Sequence, residues 1–116
     1  MEDFERIHID GVVVLAVNLV RSTINEAFEF RKILEEEISS GNTRLVIDLS
    51  NCGAIDSTLF GGIIMALGLL ADKGSKLKIV KQKNSGEDIF TTTNTTSLFD
   101  LYNTRGDAIK SFKGAK

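Results

Sequence analysis

Two hydroxyl side chains, Ser57 and Thr58, stand between an aspartate and an apolar segment with helical periodicity. Asp56 directly precedes them, and Asp48 ends an apolar run earlier in the chain. Phosphorylation of Ser57 would place about −1.5 to −2 charges at the start of that helix. The unpaired backbone N–H groups and the positive dipole end of a helix favour an anion at this position. Phosphorylation of Ser57 would therefore be a physically sensible on/off switch for binding.

The same sequence does not predict a catalytic centre. Asp48 and Asp56 could form a paired-carboxylate site, but two acids alone specify no reaction, so we favour a role in capping and orienting the loop. His8 and Cys52 are the single histidine and cysteine, and neither has neighbours at metal-ligand spacing. Gly61-Gly62 lacks the Lys-Ser/Thr of a phosphate-binding loop. We expect no enzyme, no metal and no cofactor, with His8 facing solvent on a strand and Cys52 partly buried in a loop.

A strand, a polar loop and a helix position the two hydroxyl residues. Residues 45–49 are apolar except for Asp48, which favours a central strand covered on both faces. The helix that follows has an apolar face at about 3.6 residues per turn. We expect this face to point inward, and its residues are Phe60, Ile63, Ile64, Leu67, Leu70 and Ala71. Lys73 and Gly74 are expected to close the helix, with Gly74 as its left-handed cap.

The opposite face of this helix lacks the charged residues that a solvent-exposed helix usually carries. Its residues are Gly61, Gly62, Met65, Leu69 and Asp72, with Ala66 and Gly68 at the margins. Either another part of the fold covers this face, or the face is a docking surface for a second protein. The pattern alone leaves both explanations open.

Residues 45–61, with the sequence LVIDLSNCGAIDSTLFG, resemble the STAS domain of bacterial anti-sigma factor antagonists. The family pattern is a strand ending in Asp-Leu-Ser, followed by Asp-Ser-Ser/Thr-Gly-Leu-Gly at the start of a helix. By position, the resemblance implies that Ser57 is the residue phosphorylated by an anti-sigma factor that is also a serine kinase. Leu59 stands where the family pattern has its first glycine. That glycine lets a partner's backbone come close, so leucine at this position puts the identity of the partner in question.

The resemblance also implies a mechanism. The unphosphorylated protein would bind the anti-sigma factor and free a sigma factor, phosphorylation of Ser57 would end binding, and a PP2C-type phosphatase would restore it. The implied switch loop and partner-binding surface consist of Asp48, Asp56, Thr58, Leu59, Gly61, Gly62, Met65 and Leu69. Two alternatives share the fold: a STAS subunit of a lipid-transport ABC complex, which Leu59 and the apolar helix face would suit, and a stressosome-type scaffold.

Composition limits the class of protein. The chain has 116 residues, enough for a single domain over residues 1–116, with ordinary hydrophobic and charged fractions of 42% and 26%. A net charge of −2 gives no basic surface for nucleic acid. We expect no membrane insertion, because no apolar run reaches about 18 residues. The acidic N-terminus does not resemble a signal peptide, and the lone cysteine fits a reducing cytoplasm.

The remaining chain completes an α/β fold. Asp10-Gly11 predicts a hairpin turn between strands over 4–9 and 12–17. A helix is expected over 22–39, beginning with a Thr23/Glu26 capping box. Its inward stripe consists of Ala27, Phe30, Leu34 and Ile38, flanked by Ile24 and Phe28. The run Glu35-Glu36-Glu37 is expected to face solvent. Further expected elements are a strand over 77–80, a short helix from Ser85, an edge strand over 98–102 and a helix from Thr104 in which Ala108, Ile109 and Phe112 pack inward. This order matches the STAS-like fold: a small, mixed, mostly parallel sheet of about five strands with four helices. The family resemblance also implies a left-handed cap at Asn94, which replaces a family glycine.

Overall fold

A computed structural model of the protein describes residues 2–20, 24–83 and 89–114. Its elements in chain order are β1 (Phe4–Ile9), β2 (Val12–Val17), α1 (Ile24–Ser39), β3 (Leu45–Asp48), α2 (Ser57–Asp72), β4 (Lys78–Val80), α3 (Ile89–Thr92), β5 (Asp100–Tyr102) and α4 (Arg105–Gly114). The strands form one sheet in the order β1-β2-β3-β4-β5. Only β1 and β2 pair antiparallel, and each later strand pairs parallel with its neighbour. The predicted mixed, mostly parallel sheet is confirmed, and of the helices α3 is a single turn.

The central strands are covered on both faces because their side chains alternate between two apolar layers. Leu45 and Ile47 join the large core under α1 and α2, whereas Val46 joins a smaller cluster with Ala108 of α4. The hairpin turn at Asp10 and Gly11 has positive φ at both residues, as an Asp-Gly turn requires. The predicted hairpin and the buried central strand are therefore confirmed.

Helix α1 packs through the predicted inward stripe, which is buried throughout. The two flanking residues behave differently: Ile24 is 63% exposed and Phe28 is 67% exposed. Neither side chain belongs to the buried core, so the flank of the stripe lies on the surface. The predicted helix start at Ser22 and the capping residue Thr23 lie outside the described residues.

Glu37 corrects the prediction of a solvated acidic run. Its carboxylate is buried and accepts hydrogen bonds from Arg6 Nη1 at 3.1 Å and Asn42 Nδ2 at 2.9 Å. His8 Nε2 lies 3.3 Å from the same carboxylate, while the rest of the imidazole faces solvent as predicted. The partners on β1 compensate the cost of removing a carboxylate from water.

The C-terminal half follows the predicted order with shorter strands. β4 begins at Lys78, and β5 begins at Asp100 because Thr96–Leu98 forms a 3₁₀ turn. Asn94 adopts the predicted left-handed conformation, with φ of 60°. The predicted helix start at Thr104 is confirmed, since its hydroxyl accepts the Asp107 N–H at 3.1 Å. The predicted helix start at Ser85 lies outside the described residues.

Candidate functional site

Asp56 fixes the start of α2. Its backbone is extended, and its carboxylate Oδ1 accepts the Leu59 N–H at 2.8 Å. This N-cap satisfies one of the backbone donors that a helix start leaves unpaired. Ser57 is consequently the first residue of the helix and is exposed, whereas Thr58 is half-buried. The predicted capping role of Asp56 is confirmed.

Asp48 holds the first end of the loop that joins β3 to α2, and Asp56 holds its last. Asp48 ends β3, its side chain is almost fully buried, and its two carboxylate oxygens have different partners. Oδ1 accepts the Ser50 N–H at 2.9 Å, and Oδ2 accepts from Arg105 Nε at 2.8 Å. Asp48 thus orients the loop as predicted and also ties it to the start of α4. Sequence reasoning missed Arg105, although a cation that follows one parallel strand can reach a carboxylate that ends another strand of the same sheet, here β3 and β5 on either side of β4.

Backbone contacts hold the middle of the loop between β3 and α2 against the segment that follows β2. The Gly53 N–H donates to the Leu19 carbonyl at 2.7 Å, and the Ala54 N–H donates to the Val20 carbonyl at 2.8 Å. The Gln82 side chain donates to the carbonyls of Cys52 and Gly53. A Cβ at Gly53 would collide with the Val20 carbonyl oxygen, so glycine is needed for this close approach. The loop is therefore held by the segment after β2 on one side and by Gln82 on the other.

The single thiol of the chain lies in this loop. Cys52 is buried, more deeply than the predicted partial burial, and this burial raises the pKa of its thiol to about 11. A thiol with a raised pKa is a weak nucleophile at neutral pH. Within the described ranges, no group of three His, Cys, Asp or Glu side chains could hold a metal ion.

Helix α2 buries most of its predicted inward face: Ile63 and Leu70 are fully buried, and Phe60 and Leu67 pack half-buried against the core. The buried residues are Leu59, Gly62, Ile63, Ala66 and Leu70. Ile64 and Ala71, predicted to face inward, are exposed. The reason is that α1 approaches α2 at Gly62, where an added Cβ would lie 2.9 Å from Phe30 Cδ2. Of the two explanations for the small-residue face, cover by another part of the fold is the one that holds at Gly62.

This packing changes the interpretation of the other predicted partner-binding residues. Leu59 is fully buried in the core, so the expectation that it forms part of an interface is corrected. Met65 and Leu69 are half-buried and pack against the core. Gly61 is also half-buried, and an added Cβ there would lie 2.8 Å from Arg31 Nη2. The most exposed of the predicted site residues are Asp56 and Ser57.

A shallow groove opens between the start of α2 and the start of α1. We call it the α1–α2 groove, and it is lined mainly by apolar atoms of Ile24, Ala27, Phe28, Arg31 and Thr58. Its rim carries the exposed side chains of Ile24 and Phe28. Sequence reasoning missed this feature because it assigned both residues to the flank of a buried stripe.

The family model of the STAS domain matches residues 4–108. The chain belongs to the STAS domain family. This STAS domain is 26% identical over 106 residues to a Thermotoga maritima protein provisionally named an anti-sigma factor antagonist. That alignment covers 90% of this chain and 93% of the relative.

Solved structures share the same architecture. A crystal structure of an anti-sigma factor antagonist from Mycobacterium paratuberculosis has a TM-score of 0.83 at 21% identity, covering 95% of this STAS domain and 92% of that chain. The unphosphorylated anti-sigma factor antagonist SpoIIAA has a TM-score of 0.75 at 14% identity, covering 96% and 98%. At these identities the likeness establishes the fold, and the predicted STAS-like architecture is confirmed. In the described part of the chain, no helix has the length and apolar character needed to span a membrane.

Proposed function

We propose that this STAS domain is an anti-sigma factor antagonist that binds an anti-sigma factor with serine kinase activity while Ser57 is unphosphorylated. The observation that carries the proposal is the exposed Ser57 at the first position of α2, directly after the capping residue Asp56. The name of the Thermotoga maritima relative supports the same role. Binding would release a sigma factor in the cytoplasm and so regulate transcription.

The loop contacts suit a residue that a kinase must reach. Asp56 caps α2, while Asp48 joins the loop to Arg105. Both contacts hold Ser57 in one position before a partner arrives, which lowers the ordering cost of recognition. Asp48, Leu59 and Gly62 are buried and would support the binding surface without contacting the partner. Asp56 and Thr58 would contact the partner. Gly61, Met65 and Leu69 would border the contact through their half-exposed atoms.

The α1–α2 groove gives the partner an apolar anchor beside the switch. Thr58, the neighbour of Ser57, lines this groove together with Phe28 and Ile24. A phosphate on Ser57 would add about −1.5 to −2 charges next to these apolar side chains. A partner that covers them would have to remove the phosphate from water, which is strongly unfavourable without a compensating cation. Phosphorylation would therefore end binding, and a PP2C-type phosphatase would restore it.

The experiment compares two variants at one position. The affinities of Ser57→Ala and Ser57→Asp are measured by titration calorimetry against each serine-kinase anti-sigma factor of the source organism. We expect Ser57→Ala to bind like the unmodified protein and Ser57→Asp to bind at least about tenfold more weakly, a difference of about 1.4 kcal/mol. Ser39→Asp is the matched control, because Ser39 lies at the far end of α1 from the groove. Equal affinities of the two Ser57 variants would refute the switch.

The structure removes one support of the alternative functions. A permanent interface in an ABC complex would suit Leu59 only if its side chain reached the surface. Leu59 is fully buried within the large core. In the described residues, no observation favours a transporter subunit or a stressosome-type scaffold over the antagonist.

A further inference from the structure

The guanidinium of Arg31 lies over the first turns of α2. An added Cβ at Gly61 would be 2.8 Å from Arg31 Nη2, and Arg31 shares the α1–α2 groove with Thr58. Residues three and four apart lie on the same side of a helix, with their Cβ positions about 5–6 Å apart. Gly61 follows Thr58 by three residues and Ser57 by four. The Arg31 side chain is therefore within reach of a phosphate carried on Ser57.

The charge of Arg31 is not used elsewhere in the described parts of the chain. Arg6 pairs with Glu36 and Glu37, and Arg105 pairs with Asp48. By contrast, no described carboxylate forms an ion pair with Arg31. A half-buried arginine that pairs with no acidic side chain among the described residues, next to an exposed serine, can accept an anion without first breaking any of the described ion pairs.

We propose that Arg31 is the internal partner of the Ser57 phosphate and holds it over the α1–α2 groove. This inference rests on the proposed function and specifies how its switched-off state is held. A guanidinium can donate two parallel N–H bonds to phosphate oxygens, a geometry that a lysine ammonium does not match. Because Arg31 would supply the compensating cation, such a phosphate would block binding mainly by position, since it would occupy the space beside Phe28 that the partner needs.

The test uses a phosphoserine placed at position 57 during translation, so it requires neither a kinase nor a binding partner. The second ionisation of the phosphate is followed by ³¹P NMR as a function of pH. In a protein with Arg31, we expect this ionisation about one pH unit lower than in the Arg31→Gln variant, because the cation favours the dianion. Arg31→Lys should fall between the two, since it keeps the charge and loses the paired geometry.

Arg44→Gln is the matched control. Arg44 stands next to Thr43, whose carbonyl accepts from Ser75 Oγ beyond the C-terminal end of α2. This substitution should leave the phosphate titration unchanged. If the phosphoprotein that retains Arg31 and the phosphoprotein that carries Arg31→Gln titrate identically, the inference is overturned.

The design separates this inference from the proposed function. If the phosphate titration depends on Arg31 but phosphorylation does not weaken binding to an anti-sigma factor, the proposed function fails and the internal pairing stands. If phosphorylation ends binding but the second ionisation of the phosphate does not depend on Arg31, the internal pairing fails and the switch stands. Circular dichroism of each phosphoprotein establishes that the fold is retained, and Arg31→Lys supplies a second comparison because it preserves the aliphatic part of the side chain.

Discussion

Replacing Gly62 by alanine tests whether α1 closes over the small-residue face of α2. Gly62 and Gly68 both lie in the interior of α2, so alanine at either position should gain about 0.5–1 kcal/mol of helix stability. At Gly68 no described atom outside the adjoining helix backbone lies within 4 Å of the new Cβ, and the full gain should be measured. At Gly62 the new Cβ meets Phe30 Cδ2 at 2.9 Å.

The collision at Gly62 cannot be relieved cheaply. Phe30 is fully buried, and its ring stacks on Phe4 with the centroids 5.8 Å apart. Forcing an extra methyl group into a packed core costs about 1–3 kcal/mol. Gly62→Ala should therefore be about 1–3 kcal/mol less stable than Gly68→Ala. Gly61→Ala should resemble Gly68→Ala, because its contact is the flexible end of the Arg31 side chain.

The assay is urea unfolding followed by far-ultraviolet circular dichroism, since the chain has no tryptophan. With a slope of about 1–3 kcal/mol per M, the expected difference separates the two midpoints by about 1 M. Equal midpoints for Gly62→Ala and Gly68→Ala would refute the close packing of the two helices. The small-residue face would then be open, and its interpretation as a docking surface would be restored.

Three further predictions concern the Cys52 thiol and the α1–α2 groove. Burial raises the Cys52 pKa from 9.0 to about 11, which lowers the thiolate fraction at pH 8 about hundredfold. A disulfide reagent should therefore react slowly with the folded protein until urea is added. Reaction of the folded protein at the rate of an unburied thiol would contradict the burial. Because the folded state keeps this proton above pH 9, Cys52 should also reduce stability as pH rises from about 9 to 11, measured as a steeper fall in urea midpoint than for Cys52→Ala. Phe28→Glu should weaken anti-sigma factor binding at least about tenfold without loss of stability. The control is Ile9→Glu, at an exposed apolar residue at the hairpin end of β1, which should leave the affinity unchanged. Equal calorimetric affinities of the two variants would exclude the groove from the interface.

Local signals explain why much of the fold could be predicted from the sequence. The Asp10-Gly11 pair specifies its turn through two adjacent positive φ angles, so the bounds of β1 and β2 are predicted correctly. Asp56 marks the start of α2 because its short carboxylate can cap the helix only from that position. Each of these features depends on residues that are close together in sequence.

The errors arise where distant segments meet. The small-residue face of α2 left two explanations open in the sequence, and only the assembled fold shows that at Gly62 the missing Cβ allows Phe30 of α1 to approach. The glutamate run indicates solvent, but Glu37 is buried because Arg6 lies opposite it on β1. Likewise, the contact between Asp48 and Arg105 joins residues 57 positions apart. Pairing between such distant residues depends on the assembled sheet and has no local sequence signal.

The most direct test of the account is the affinity of the unphosphorylated and Ser57-phosphorylated proteins for the same anti-sigma factor. Titration calorimetry with phosphoserine placed at position 57 during translation supplies both values under identical conditions. We expect the unphosphorylated protein to bind and the phosphoprotein to bind at least about hundredfold more weakly, a loss of about 2.7 kcal/mol. Equal affinities, with both proteins folded, would contradict Ser57 as the switch between the bound and released states.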